Sequence, residues 1–239
     1  MWRWTCSLDC QHCTSARMKN KMKNFLCLPL ILLLFLLSCQ PNQTTQQDEP
    51  VTPAKNENPD PAFILIPGKK VGKVSAEKCT RKDVLEAYGA NAVVDSIYLG
   101  EGVLEEGVVL FPDDMLKRVE FFWDHTIDSL RPSFIRISGN EQGQTLWRTP
   151  EGISIGTPIA EVERINGTPF QIYGFGWDYG GLVNSWNGGK LPETLGLTFT
   201  YTASEVPEYL LGEVQLWSND KSLLSVGPVV SVIVSSFRE

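Results

Sequence analysis

The chain has 239 residues, 42% of them hydrophobic and 10% aromatic, with 21 basic and 28 acidic side chains. Five of the basic and one of the acidic residues precede Cys39, so the chain from there on carries 16 and 27, a net of −11. That balance repels nucleic acid and anionic lipid head groups, and neither is expected as a partner.

Residues 1–17 read MWRWTCSLDCQHCTSAR, an upstream extension ahead of two further start candidates, Met18 and Met22. Cys10 and Cys13 with His12 make half of a metal knuckle; a zinc site takes four ligands, and the only other histidine is His125. No metal or cofactor site is expected. Lys19, Lys21 and Lys23 then precede FLCLPLILLLFLL at 25–37, a basic segment followed by an uncharged apolar run of signal-peptide length. The run falls short of the about 20 apolar residues that span a bilayer. It ends in Leu36-Leu37-Ser38-Cys39, which resembles the lipobox of bacterial lipoproteins. The resemblance implies cleavage before Cys39, lipidation of that cysteine (diacylglycerol and palmitate) and anchorage in a cell-envelope membrane. Gln40 stands where an aspartate would argue for inner-membrane retention, so the outer membrane is expected.

Residues 39–62 are rich in Pro, Gln, Asn and acids and contain no aromatic side chain, the composition of a disordered tether. From 63 onward the chain is long enough for a substantial core. Cys79 is the one cysteine left there; with no histidine nearby it reads as a small buried hydrophobe rather than a nucleophile.

Two stretches of this region share a pattern. At 80–88, TRKDVLEAY predicts a helix capped by Thr80, with Asp83 in the capping-box position and Gly89 as its stop. At 157–167, TPIAEVERING predicts a second, with Thr157 as cap, Pro158 at the first turn, the stripe Ile159, Val162 and Ile165, and Gly167 as a left-handed stop. Each is followed by four strand-like segments: 93–100, 107–112, 117–124 and 132–138, then 170–178, 195–202, 212–219 and 228–237. Trp123 and Trp217 fall at equivalent places and are expected to plug equivalent core positions. The expected architecture is α+β: two tandem repeats, 63–140 and 141–239, each a short helical unit followed by about four antiparallel strands. Together they would form one concave sheet with helices on one face.

Ile153, Ile155, Gly156, Thr157, Val162, Gly167 and Pro169 carry a motif that resembles the β-lactamase-inhibitor-protein-like fold and the small lipoproteins of outer-membrane assembly. The first repeat departs from it, with Gly72 early, Ser75-Ala76 in place of Gly-Thr and Ala90 in place of proline. The resemblance implies a protein binder rather than an enzyme. Gly152, Gly156 and Gly167 fit no phosphate-loop spacing and read as turn punctuation.

No catalytic constellation is found. A Ser-His-Asp arrangement would have to use His125, beside Asp124 and Asp128. Among carboxylates, Asp113-Asp114 reads as a turn, and Asp178 and Glu193 flank an insertion at 179–194. The distinctive stretch is YGFGWDYGGLVNSWNGG at 173–189. On a strand, Tyr173, Phe175 and Trp177 would share one face; core and recognition surface are both open readings. With Asp178, Tyr179 and Trp186 they form the candidate binding set, Trp186 as an exposed anchor on a glycine-rich loop. The expected function is a lipid-anchored, non-enzymatic envelope protein that binds a protein partner through the sheet and this loop. The alternative is a carbohydrate-binding or glycan-hydrolysing lipoprotein using Trp177, Trp186 and Asp178.

Overall fold

The computed structural model describes residues 60–124 and 130–237. The expectations placed on Cys39, on the segments before 60 and on His125 and Asp128 lie outside the described residues. The described chain is mostly β, and all of its strand pairs are antiparallel. In chain order it runs β1 (Leu65–Ile66), β2 (Lys70–Val71), β3 (Val74–Ser75), α1 (Arg81–Tyr88), β4 (Ala92–Gly100), β5 (Val103–Leu110), β6 (Val119–Phe122) and β7 (Phe134–Ser138). There follow α2 (Ile159–Asn166), β8 (Gln171–Tyr173), β9 (Val183–Ser185), β10 (Leu195–Thr200), β11 (Gln215–Trp217), α3 (Lys221–Ser225) and β12 (Val229–Ser235).

Helix α1 starts where its cap dictates. The Thr80 hydroxyl oxygen accepts from the Asp83 backbone N–H, and the Asp83 carboxylate accepts from the Thr80 backbone N–H at 3.1 Å, a reciprocal box that satisfies two otherwise orphaned donors. The Thr80 hydroxyl also donates to that carboxylate at 2.6 Å, the main reason its pKa lies below the ordinary aspartate value. Helix α2 ends as expected, at Gly167 with φ 82°, its N–H donating to the Glu163 carbonyl at 2.8 Å. Its start differs. Pro158 holds the cap position, and the Thr157 hydroxyl accepts instead from the Ser154 N–H at 2.9 Å.

The two-repeat, single-sheet architecture is overturned. The strands lie in three sheets: β1-β2-β3, a six-stranded sheet in the order β10-β12-β7-β6-β5-β4, and a separate β11-β8-β9. The second half is therefore not a copy of the first. Its strands β10 and β12 extend the first half's meander by pairing β12 with β7, Ile233 opposite Ile137. Its strands β8 and β11 leave that sheet. The physical reason is β9, which comes from the 179–194 insertion and takes the edge of β8 that β10 would have used, Ile172 opposite Val183. Leu182 and Thr198 make a single bridge at the seam, and the Phe199 N–H donates to the Gly181 carbonyl at 2.9 Å.

One core runs through both halves. Phe121, Trp123, Ile135 and Ile137 from the first meet Val162, Phe170, Leu197 and Ile233 from the second. The halves are also stitched through the backbone: Leu65 N–H donates to the Arg148 carbonyl at 2.9 Å, and Leu146 N–H to the Leu116 carbonyl at 2.8 Å. Cys79 is buried in this core, where desolvation, reinforced by the nearby Asp83 carboxylate, pushes its thiol up to about 12, far from nucleophilic use. The expected pair of core tryptophans is half right. Trp123 is buried and donates its indole N–H to the Cys79 carbonyl at 3.2 Å, but Trp217 is 42% exposed, because Leu216 takes the inward position of β11.

Candidate functional site

The strand that opens the 173–189 stretch, β8, ends at Tyr173 instead of running on through Trp177. Gly174 lies so close to the Leu210 and Gly212 carbonyls that a Cβ there would meet them at 2.8 and 2.7 Å, and Gly176 turns the chain at φ 81°. The loop then closes on itself: Gly180 N–H donates to the Trp177 carbonyl at 2.9 Å, and Tyr173 N–H to the Leu182 carbonyl at 2.9 Å. The strand alternation of Tyr173, Phe175 and Trp177 is thereby lost.

Their fates differ accordingly. Phe175 is buried, edge-on to Tyr201 at 5.2 Å between centroids. Trp177 folds back until its indole N–H donates to the Gly174 carbonyl at 2.9 Å. In that position its ring stands nearly perpendicular to Tyr173, at 5.5 Å and 83°, and tilted against Tyr179, at 5.2 Å and 69°. These are the edge-to-face geometries that aromatic quadrupoles favour. The three rings with Leu182, Val183 and Asn184 line an open hollow of about 390 Å³. Tyr179 is 57% exposed on its rim, and Asp178, between Trp177 and Tyr179 in the chain, faces solvent.

Trp186 does not belong to this surface, a correction to the exposed-anchor expectation. It is 2% exposed, its ring lies 5.1 Å from Phe170, and its indole N–H donates to the Leu195 carbonyl at 3.0 Å. The turn that follows it, with Asn187 at φ 53° and Gly188 at φ 67°, folds the chain back over α2. There the buried Asn166 amide donates to the Trp186 carbonyl at 3.0 Å and accepts from the Leu191 N–H at 3.2 Å. The structure thus gathers Tyr173, Trp177 and Tyr179 and sets Phe175 and Trp186 apart in the core. Leu182, Val183 and Asn184 were not foreseen as lining residues; their pairing with β8 through β9 was the missing signal.

Asp114 is tied into a turn, salt-bridged to Lys117 at 2.6 Å and accepting from the Leu116 N–H at 3.1 Å; the Lys117 contact is the main cause of its lowered pKa. Among the described residues, no group of three or more His, Cys, Asp or Glu side chains is placed to hold a metal ion. No helix among them is long and apolar enough to cross a membrane. No family model, no curated protein and no solved structure matches the chain.

Proposed function

We propose that this chain is a non-enzymatic recognition protein of a bacterial cell envelope, anchored by a lipid on Cys39, outer membrane favoured, and that its ligand sits in the Tyr173–Trp177–Tyr179 hollow. The observation that supports this reading is the ring-walled hollow itself. Three aromatic side chains held partly open to solvent, Tyr173 at the end of β8 and Trp177 and Tyr179 on a loop pinned by its own backbone hydrogen bonds, form a preorganised site rather than a leftover of the core. The ligand is expected among components of the same envelope.

Trp177→Ala should weaken capture of that component from detergent-solubilised envelopes by about tenfold or more, the scale of a truncated interface tryptophan. Its melting temperature should stay close to the parent's, since the ring is only half-buried. Unchanged capture would remove the hollow from the reading. Cys39→Ala should shift the protein from the membrane to the soluble fraction or leave it unprocessed; fractionation and apparent mass check this. Unchanged partitioning and mass would remove the anchor.

A further inference from the structure

Resting on the reading of the hollow as a ligand site, we infer that its ligand is a neutral polysaccharide and that the binding surface extends from the hollow across the outer face of β11-β8-β9. The extension follows from register. Gln171 lies opposite Trp217, and Tyr173 opposite Gln215. Residues paired across an antiparallel ladder, and residues two apart along a strand, share a face. Gln171, Tyr173, Gln215 and Trp217 therefore lie together on the side away from Ile172 and Leu216, which are buried. Trp217 and Tyr173 are diagonal neighbours, about 7–8 Å apart along the backbone lattice. Tyr173 also walls the hollow, so the face and the hollow are continuous.

The chemistry of this surface selects the ligand. The segments QIY, VNS and QLW that make up the sheet contain no charged residue, in a chain with 49 of them. Along the chain, Asp178 is the nearest charge to β8, Glu213 and Asp220 flank β11, and the nearest cations are Lys190, five residues after β9, and Lys221, four after β11. The strands of the face themselves offer an anionic polymer no cation to pair with. What the face does offer is aromatic rings alternating with side-chain amides. Ring faces carry the negative side of a quadrupole and suit the weakly positive C–H faces of pyranose rings. Amides donate and accept at once, as sugar hydroxyls do. The size also fits. About 390 Å³ is within the range of small-ligand sites. A protein partner would call for roughly 800 Å² of cover on this side, and the polar glutamines interrupt any apolar patch here.

The test is affinity electrophoresis and calorimetry of the purified protein against four neutral polymers, a β-1,3-glucan, a β-1,4-glucan, a galactomannan and an α-mannan, with polygalacturonate as the anionic control. Retention by at least one neutral polymer is expected, unchanged between low and high salt because no ion pair contributes. Trp217→Ala should weaken it by about tenfold with the melting temperature preserved, and Gln215→Ala should weaken it to a lesser degree. Absence of binding to all four, or salt-sensitive binding to polygalacturonate alone, overturns the neutral-glycan assignment. If Trp177-dependent capture of an envelope protein persists in that case, the hollow stands as a ligand site and only the ligand class falls. Neutral binding that Trp177→Ala abolishes but Trp217→Ala leaves intact overturns the extension across β11.

Discussion

Trp186→Ala should destabilise the protein by about 3–5 kcal/mol, the usual cost of truncating a buried tryptophan and a large part of the roughly 5–15 kcal/mol that holds a domain together. The side chain fills space against Phe170 and completes a buried hydrogen bond to the Leu195 carbonyl. Its removal leaves a cavity at the junction of β9, β10 and α2 and an acceptor without its donor. Trp217→Ala is the matched control. At 42% exposure, that tryptophan should cost about 0.5 kcal/mol or less. Urea denaturation of the two variants gives the contrast directly. Equal losses would show that Trp186 is no more a core residue than Trp217.

Asn166→Leu should cost about 3 kcal/mol or more, although it replaces a polar buried side chain with an apolar one of similar size. The Asn166 amide, at 0% exposure, donates to the Thr168 carbonyl at 2.9 Å and the Trp186 carbonyl at 3.0 Å and accepts from the Leu191 N–H at 3.2 Å. Leucine removes all three partners at once, and each buried backbone group left unpaired costs about 1–3 kcal/mol. Space is also tight: a Cβ on Gly189 would overlap this amide, so a branched tip in its place meets the Gly189 backbone. Asn166→Asp keeps the acceptor and loses the donor, and should fall between the leucine variant and the parent only where its carboxyl is protonated. Midpoints and slopes of denaturation curves at neutral and acidic pH check both statements. A loss below about 1 kcal/mol for the leucine variant would show that water replaces the amide.

Much of the local structure was legible because its causes are local. The Thr80–Asp83 box and the Gly167 stop are decided by residues within one helical turn, and α1 and the end of α2 lie where those residues put them. The segments expected at 93–100 and 228–237 could be placed for the same reason, since their preference for extended backbone does not depend on which strand lies beside them; the one expected at 107–112 meets only the second half of β5. The short helix α3 was missed, though Asp220, whose side chain accepts from the Ser222 N–H at 2.8 Å, is a recognisable cap. It is too short for periodicity to announce it.

The site was legible only in composition. Six residues of 173–186 were singled out as one aromatic set, and the chain divides them: three at a hollow or its rim, one exposed carboxylate, two buried rings. A strand period cannot foresee that Gly176 turns the chain back, nor that an insertion supplies a strand. Trp217 shows the same limit. Shifting a strand's register by one residue exchanges its faces, so Leu216 rather than Trp217 enters the core.

The sequence by itself determined where α1 starts and stops, where α2 stops, that the runs forming β4 and β12 are extended, and that aromatic and glycine residues concentrate at 173–189, since these depend on side chains a few positions apart. Only the tertiary structure decided the sheet order, the burial of Trp186 and the opening of the Tyr173–Trp177–Tyr179 hollow. Strand pairing and burial are settled between residues far apart in the chain, as where β9 occupies the edge of β8.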